Sequence, residues 1–232
     1  MSTDRKRAMT TGVLFVLAAV TSIVGLLQYA PILGHSDYVV RGSAQTARVA
    51  SGAVMELVCA FSLIGISITM FPVLRRRNES VALGYVCFRL LEASIIIVGI
   101  ISLLSVVTLS QKYSAAVDPD ASSYLTASRL LVAVHDWTFL FGPNIALGPS
   151  TLMMGHFLYR TRLVPRFIAV LGLVGGPLIL VSGVLVVFGA YPQISAWGTV
   201  CALPVFAYEM SLAGWLIVKG FTPSAHAALL AD

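Results

Sequence analysis

The sequence predicts an all-α polytopic membrane protein, a bundle of six transmembrane helices with a kinked fourth helix. Three observations carry that expectation. Of 232 residues 58% are hydrophobic and 11% charged, whereas about a quarter of a soluble domain's residues are charged. Six long apolar runs follow one another, each near the roughly 20 residues that a helix needs to cross the hydrocarbon core. The fifteen Lys and Arg outnumber ten acids, for a net charge of +5, yet they gather in short turns beside the apolar runs, where they orient a membrane protein. A nucleic-acid partner is therefore not implied. Cys59, Cys87 and Cys201 form no CxxC pair and fall within apolar runs. That excludes a disulfide framework or a zinc ribbon and leaves them as small packing residues.

Residues 1–232 read as one integral membrane domain. The first span, about 8–30, follows Asp4-Arg5-Lys6-Arg7, and its length, with no A-x-A site after it, separates it from a signal peptide. The second, about 50–74, ends in Phe71-Pro72 and Arg75-Arg76-Arg77. The third, about 81–109, starts after only Asn78-Glu79-Ser80, so the two form a tight hairpin. A polar loop holds Asp118-Pro119-Asp120. The fourth span, about 127–159, is interrupted by Gly142-Pro143-Asn144 and Gly148-Pro149, whose prolines remove backbone donors and kink the helix. The fifth, about 167–188, follows Arg160, Arg162 and Arg166, and the sixth, about 196–219, closes the set. Gly172 and Gly176 form one GxxxG, read as a close contact within the chain rather than a dimer face.

Charge fixes an expected topology. Arg5, Lys6, Arg7, Arg75, Arg76, Arg77, Arg160, Arg162, Arg166 and Lys219 place ten basic residues on one side, and Arg41, Arg48, Lys112 and Arg129 place four on the other. The basic excess marks cytoplasmic loops, so both termini are expected in the cytoplasm.

The segments "FPVL" before a basic turn, "ESVALGYVCFRLLE", the Asp136-Trp137 pair and "LVPRFIAVLGL" resemble the domain-of-unknown-function 4386 family of bacterial multi-pass membrane proteins. Leu171 stands where the pattern has tryptophan, a difference that touches packing. The resemblance implies a helical bundle of the bacterial inner (plasma) membrane and supplies no activity or catalytic residue.

Ionisable residues inside the runs carry the functional reading, because each charge near a helix centre costs about 2.5–3.5 kcal/mol on insertion scales. At a rise of about 1.5 Å per residue, Glu56 lies roughly 9 Å below the outer end of its span, and His135 and Asp136 roughly 12–14 Å below theirs. Arg89 and Glu92 lie roughly 12–17 Å above the inner end of the third span, and Glu209 roughly 15 Å above that of the sixth. One shared polar layer is expected. Arg89 and Glu92 are i,i+3 neighbours and should pair. Arg129 and Asp136, two turns apart, should share a face turned inward, with Arg129 shielding the carboxylate. Against Glu56, Glu92, Asp136 and Glu209 there is one deep cation, Arg89. At least two carboxylates must therefore hold a proton, take one from His135, or bind a cation.

Several classes lack their signatures. No paired Glu-x-x-His pattern supports a di-metal bundle, and no metal site is assigned. His135 and His156, roughly 31 Å apart on one helix, cannot sandwich one haem, and no mid-span lysine exists for a retinal Schiff base. Gly-x-Ser-x-Gly, His-Glu-x-x-His and P-loop patterns are absent from the sequence. His35 and His226 read as interfacial or tail residues. Trp197 reads as an interface anchor, Trp137 with Phe139 and Phe141 as an apolar pocket wall, and Asn144 as a polar group exposed by the helix break.

The expected function is that of a membrane enzyme doing cofactor-free acid–base chemistry, as an isomerase, cyclase or hydrolase, on a lipid- or terpenoid-like molecule. Asp136 and Glu209 are the expected acid–base pair, Glu56 and Glu92 come next, Arg89 orients Glu92, and His135 shuttles protons. The competing class is a proton-coupled transporter of small cationic or amphiphilic solutes, and a structural or regulatory membrane protein is third. The expected partner is a membrane lipid or lipophilic small molecule, with oligomeric state left open.

Overall fold

The computed structural model describes residues 3–41 and 45–225. His226 and the side chain of Arg41 lie outside the described residues. The chain forms α1 (Thr3–Gln28), the short α2 (Ala30–Leu33) and α3 (Tyr38–Arg41), α4 (Thr46–Leu74), α5 (Glu79–Ala115), α6 (Ala121–Leu140), a π-helical turn (Phe141–Ala146), α7 (Leu147–Thr161), α8 (Arg166–Val187) and α9 (Ala196–Val218). Six helical stretches are long and apolar enough to cross a membrane, with α6, the π turn and α7 forming one of them. Among the described residues there is no strand.

The ends of these helices are written in the sequence. Asn78 caps α5 by accepting from the Val81 amide at 3.0 Å, and Ser195 caps α9 by accepting from Gly198. Asp120 caps α6, where the Ser123 hydroxyl and the Ser122 amide hold its exposed carboxyl below the usual carboxylate range. Each supplies an acceptor to an amide with no partner in its own helix.

The spans are arranged as a ring in chain order. α1 packs on α4, α4 on α5, α5 on α6 and α7, α7 on α8, α8 on α9, and α9 back on α1. Arg5 helps to close it, donating to the Leu216 carbonyl at 2.7 Å and the Ile217 carbonyl at 2.6 Å, acceptors left over at the end of α9. α1 and α9 meet backbone to side chain at Gly12, where a methyl group would lie 2.7 Å from the Ala213 carbonyl oxygen. The GxxxG of α8 packs within the chain. Gly176 approaches Gly148 and Gly172 faces Gly155, so α7 and α8 run at near-backbone contact.

The fourth span is interrupted where proline predicts it. In α-helical register the Phe139 carbonyl would accept from residue 143, but Pro143 has no amide hydrogen. The helix loosens into a π turn at that point, and the Gln193 side chain, from the α8–α9 loop, donates to the Phe139 carbonyl at 3.0 Å and to Asn144 Oδ1 at 3.2 Å.

Two apolar clusters flank a polar middle. One, with Phe15, Leu74, Leu158 and Leu216, fills the end of the ring that carries the basic turns. The other, with Tyr29, Val49, Leu103 and Val106, fills the opposite end, beneath α2 and α3. Outward side chains such as Val20, Ile101 and Val181 are apolar and exposed, as a lipid-facing surface requires.

Candidate functional site

The polar layer is built around Arg89. Its side chain is 1% exposed, yet it is the largest fully buried group among the described residues. Nη1 donates to Glu92 Oε2 at 3.1 Å within α5, and Nη2 donates to Glu209 Oε1 at 2.9 Å on α9. The guanidinium carbon lies 5.7 Å from the Phe15 ring centre and 5.6 Å from that of Tyr85, within cation–π range. Nε has no partner among the described residues. One cation thus serves two carboxylates, leaving an excess negative charge or a proton to hold.

These groups form the floor of a cavity of about 390 Å³ on the ring's axis. Its walls are almost entirely apolar, with Ala18, Ile23, Leu63, Ile179 and Phe206 among them, while Arg89, Glu92 and Glu209 lie at its depth. Asn144 and Gln193 line it as well. α1 and α9 touch near the basic end, at Gly12 and Ala213. Farther along, the cavity lies between them, from Leu26 and Gly198 at one end to Ala18 and Glu209 at the other. It reaches the surface there beside Ile23 and Ile194, both exposed. Glu209 is the more accessible carboxylate, its side chain 18% exposed against 5% for Glu92.

A second chamber of about 50 Å³ adjoins the first, sharing Ser22, Cys59, Ile96, Phe139 and Pro143 as walls. Glu56 and His135 line it. The His135 ring stacks on Phe139 at 6.2 Å and meets the edge of Tyr29 at 5.8 Å. The Tyr29 hydroxyl lies near the Glu56 carboxyl, although it makes no hydrogen bond of good geometry among the described residues.

The structure brings Arg89, Glu92 and Glu209 into one cluster, sets Glu56 and His135 beside it, and puts Asn144 in the cavity wall. It separates the rest. Asp136 does not turn inward: its side chain is 67% exposed, with His135 Nδ1 at 3.4 Å. The reason is helical geometry, since neighbouring residues point about 100° apart and the aromatic contacts of His135 take the inward direction. Arg129, two turns away, shares the outward face as the spacing required; it is exposed and makes no ion pair with Asp136. Trp137 is 49% exposed and tilted against the outward Phe141, so of the expected aromatic wall only Phe139 faces the cavity. Among the described residues, no three His, Cys, Asp or Glu side chains converge as a metal site.

Gln193, Phe15 and Tyr85 were not singled out from sequence. Pro143 is the signal for Gln193, because it orphans a carbonyl that some donor must reach.

The model of a family described as "Domain of unknown function (DUF4386)" matches residues 10–220. The chain belongs to that family. No curated protein and no solved structure matches it.

Proposed function

We propose that the protein is a membrane enzyme that admits a lipophilic substrate sideways from the bilayer, between α1 and α9, and acts on it by acid–base chemistry without a cofactor. The observation that carries this reading is an apolar-walled cavity ending on two carboxylates that share one guanidinium. In the chemistry we propose, one of the two acids donates a proton while the other accepts. Glu209, nearer the open space, is assigned contact with substrate, and Glu92 is its partner. Arg89 holds both in position, and Glu56 with His135 forms a proton store next door. Asp136, facing away, has no place in this pair. The aliphatic and aromatic walls suit a lipid- or terpenoid-like body, and isomerisation, cyclisation or hydrolysis is the reaction type that two carboxyl groups can run.

We place the protein in the bacterial inner membrane with its termini cytoplasmic, on the ten-to-four division of basic residues. The cavity then opens in the outer half of the bilayer.

A second reading rests on one observation, the π turn beside the cavity with the buried Asn144 lining that cavity. Interrupted helices of this kind form binding sites in proton-coupled carriers. One experiment separates the two. Purified protein is reconstituted with bacterial lipid extract and a trapped pH-sensitive dye, and the lipids are followed by mass spectrometry. The enzyme predicts product that appears with wild type and is lost in Glu209→Gln, without proton flux. Flux on adding a cationic amphiphile, with unchanged lipids, would assign transport instead.

A further inference from the structure

We infer that the molecule this cavity takes is a cationic amphiphile: a single-chain or compact apolar body ending in an ammonium group that binds against Glu209. The inference rests on the reading of the cavity as a site for a lipophilic molecule and adds the charge of that molecule.

The charge inventory carries it. Of the residues lining the large chamber, α5 contributes Arg89 and Glu92, α9 contributes Glu209, and α1, α4, α6, the π turn, α7, α8 and the α8–α9 loop contribute no charged side chain. The floor therefore holds two carboxyl groups against one guanidinium. The adjoining chamber adds a third, Glu56, with His135 as its only basic neighbour lining that space. No arrangement of these groups favours an anion. Arg89 is already committed: both Nη atoms bond to carboxylates and its faces lie against Phe15 and Tyr85. A fatty-acid carboxylate would have to displace Glu209 from it and bring a further negative charge into a low-dielectric space. An ammonium group does the opposite. It takes the place of the proton or second counter-charge that the two acids require and donates to the one carboxylate that retains open space beside it.

Length agrees with a single chain. Gly198 at the mouth and Glu209 at the floor are eleven residues apart on α9, about 16 Å at 1.5 Å per residue, which accommodates a chain of roughly ten carbons with its head group. Phe139 and Phe206 line the space as well.

The test titrates full-length protein in detergent micelles with decylamine, decanol and decanoate at neutral pH and counts adducts by native mass spectrometry. Decylamine, protonated at that pH, should bind at least tenfold more tightly than decanol, and decanoate should bind weakest. In Glu209→Gln the preference for decylamine over decanol should fall by about tenfold, the scale of one charge-assisted hydrogen bond. If decanoate or decanol binds as well as decylamine to wild type, the charge inference fails although the cavity reading stands. If none of the three binds saturably, the cavity reading itself fails. The ligand comparison in wild type decides the matter even where Glu209→Gln does not fold.

Discussion

Replacing Arg89 by methionine removes the cation that Glu92 and Glu209 share while keeping an unbranched side chain of similar length. Both hydrogen bonds, at 3.1 Å and 2.9 Å, are lost from a site where the guanidinium is 1% exposed and water does not screen the remaining charges. Removing one partner of a buried ion pair costs about 3–5 kcal/mol, because a charge is left without compensation. Here two carboxylates are stranded together, and the contacts with Phe15 and Tyr85 go as well, so the loss should fall in the upper half of that range. The same physics predicts rescue. Arg89→Met combined with Glu92→Leu and Glu209→Gln leaves no stranded charge, and apolar replacement of a buried ionic cluster is neutral or stabilising as often as not. The triple variant should therefore return to within about 1 kcal/mol of wild type, and the single substitutions should be strongly non-additive. Unfolding in bicelles by steric trapping measures each variant. A cost below about 1 kcal/mol for Arg89→Met, or a triple variant worse than the single, would refute the picture of one cation holding two buried acids.

Other consequences can be read from the same packing. Asp136→Leu should stabilise the protein, by at most about 2.5–3.5 kcal/mol, since it removes an outward carboxylate from the bilayer; destabilisation in the same steric-trapping assay would mean that Asp136 has an inward partner. Gln193→Leu should cost about 1–3 kcal/mol by stranding the Phe139 carbonyl, and adding Pro143→Ala should recover most of that by supplying an amide donor at 143; an undiminished loss in the double variant would show that the carbonyl is not the cause. Gly176→Val should be destabilising by about 1–3 kcal/mol or more through overpacking, because a methyl there meets the Gly148 carbonyl oxygen at 2.7 Å. Gly214→Ala, with nothing within 4 Å, should be neutral or stabilising, both variants being measured by steric trapping.

Much of the bundle was legible because its determinants are local. Apolar length gave the six spans, basic turns gave their alternation, Pro143 gave the break, and the i,i+3 spacing of Arg89 and Glu92 gave their pairing. The rotation of each helix about its own axis is not local. The sequence puts Arg129 and Asp136 on one face but does not say which way that face turns, and the stacking of His135 on Phe139 and Tyr29 decided it. Glu209 and Arg89 meet because α9 closes the ring onto α1 and α8, a contact no spacing along the chain encodes. Depth alone ranked Asp136 level with Glu209; rotation separates them.

A lipophilic molecule that enters between α1 and α9 and lodges above Glu209 is kept out when a bulky side chain fills that space. Ala202 lines the cavity, whereas its neighbour Leu203 is 55% exposed on the outer face of the same helix. Wild type, Ala202→Trp and Leu203→Trp are purified in parallel and their co-purifying small molecules compared by mass spectrometry. The account predicts a defined amphiphile retained by wild type and Leu203→Trp and lost from Ala202→Trp. The same molecules at the same amounts in all three would contradict it.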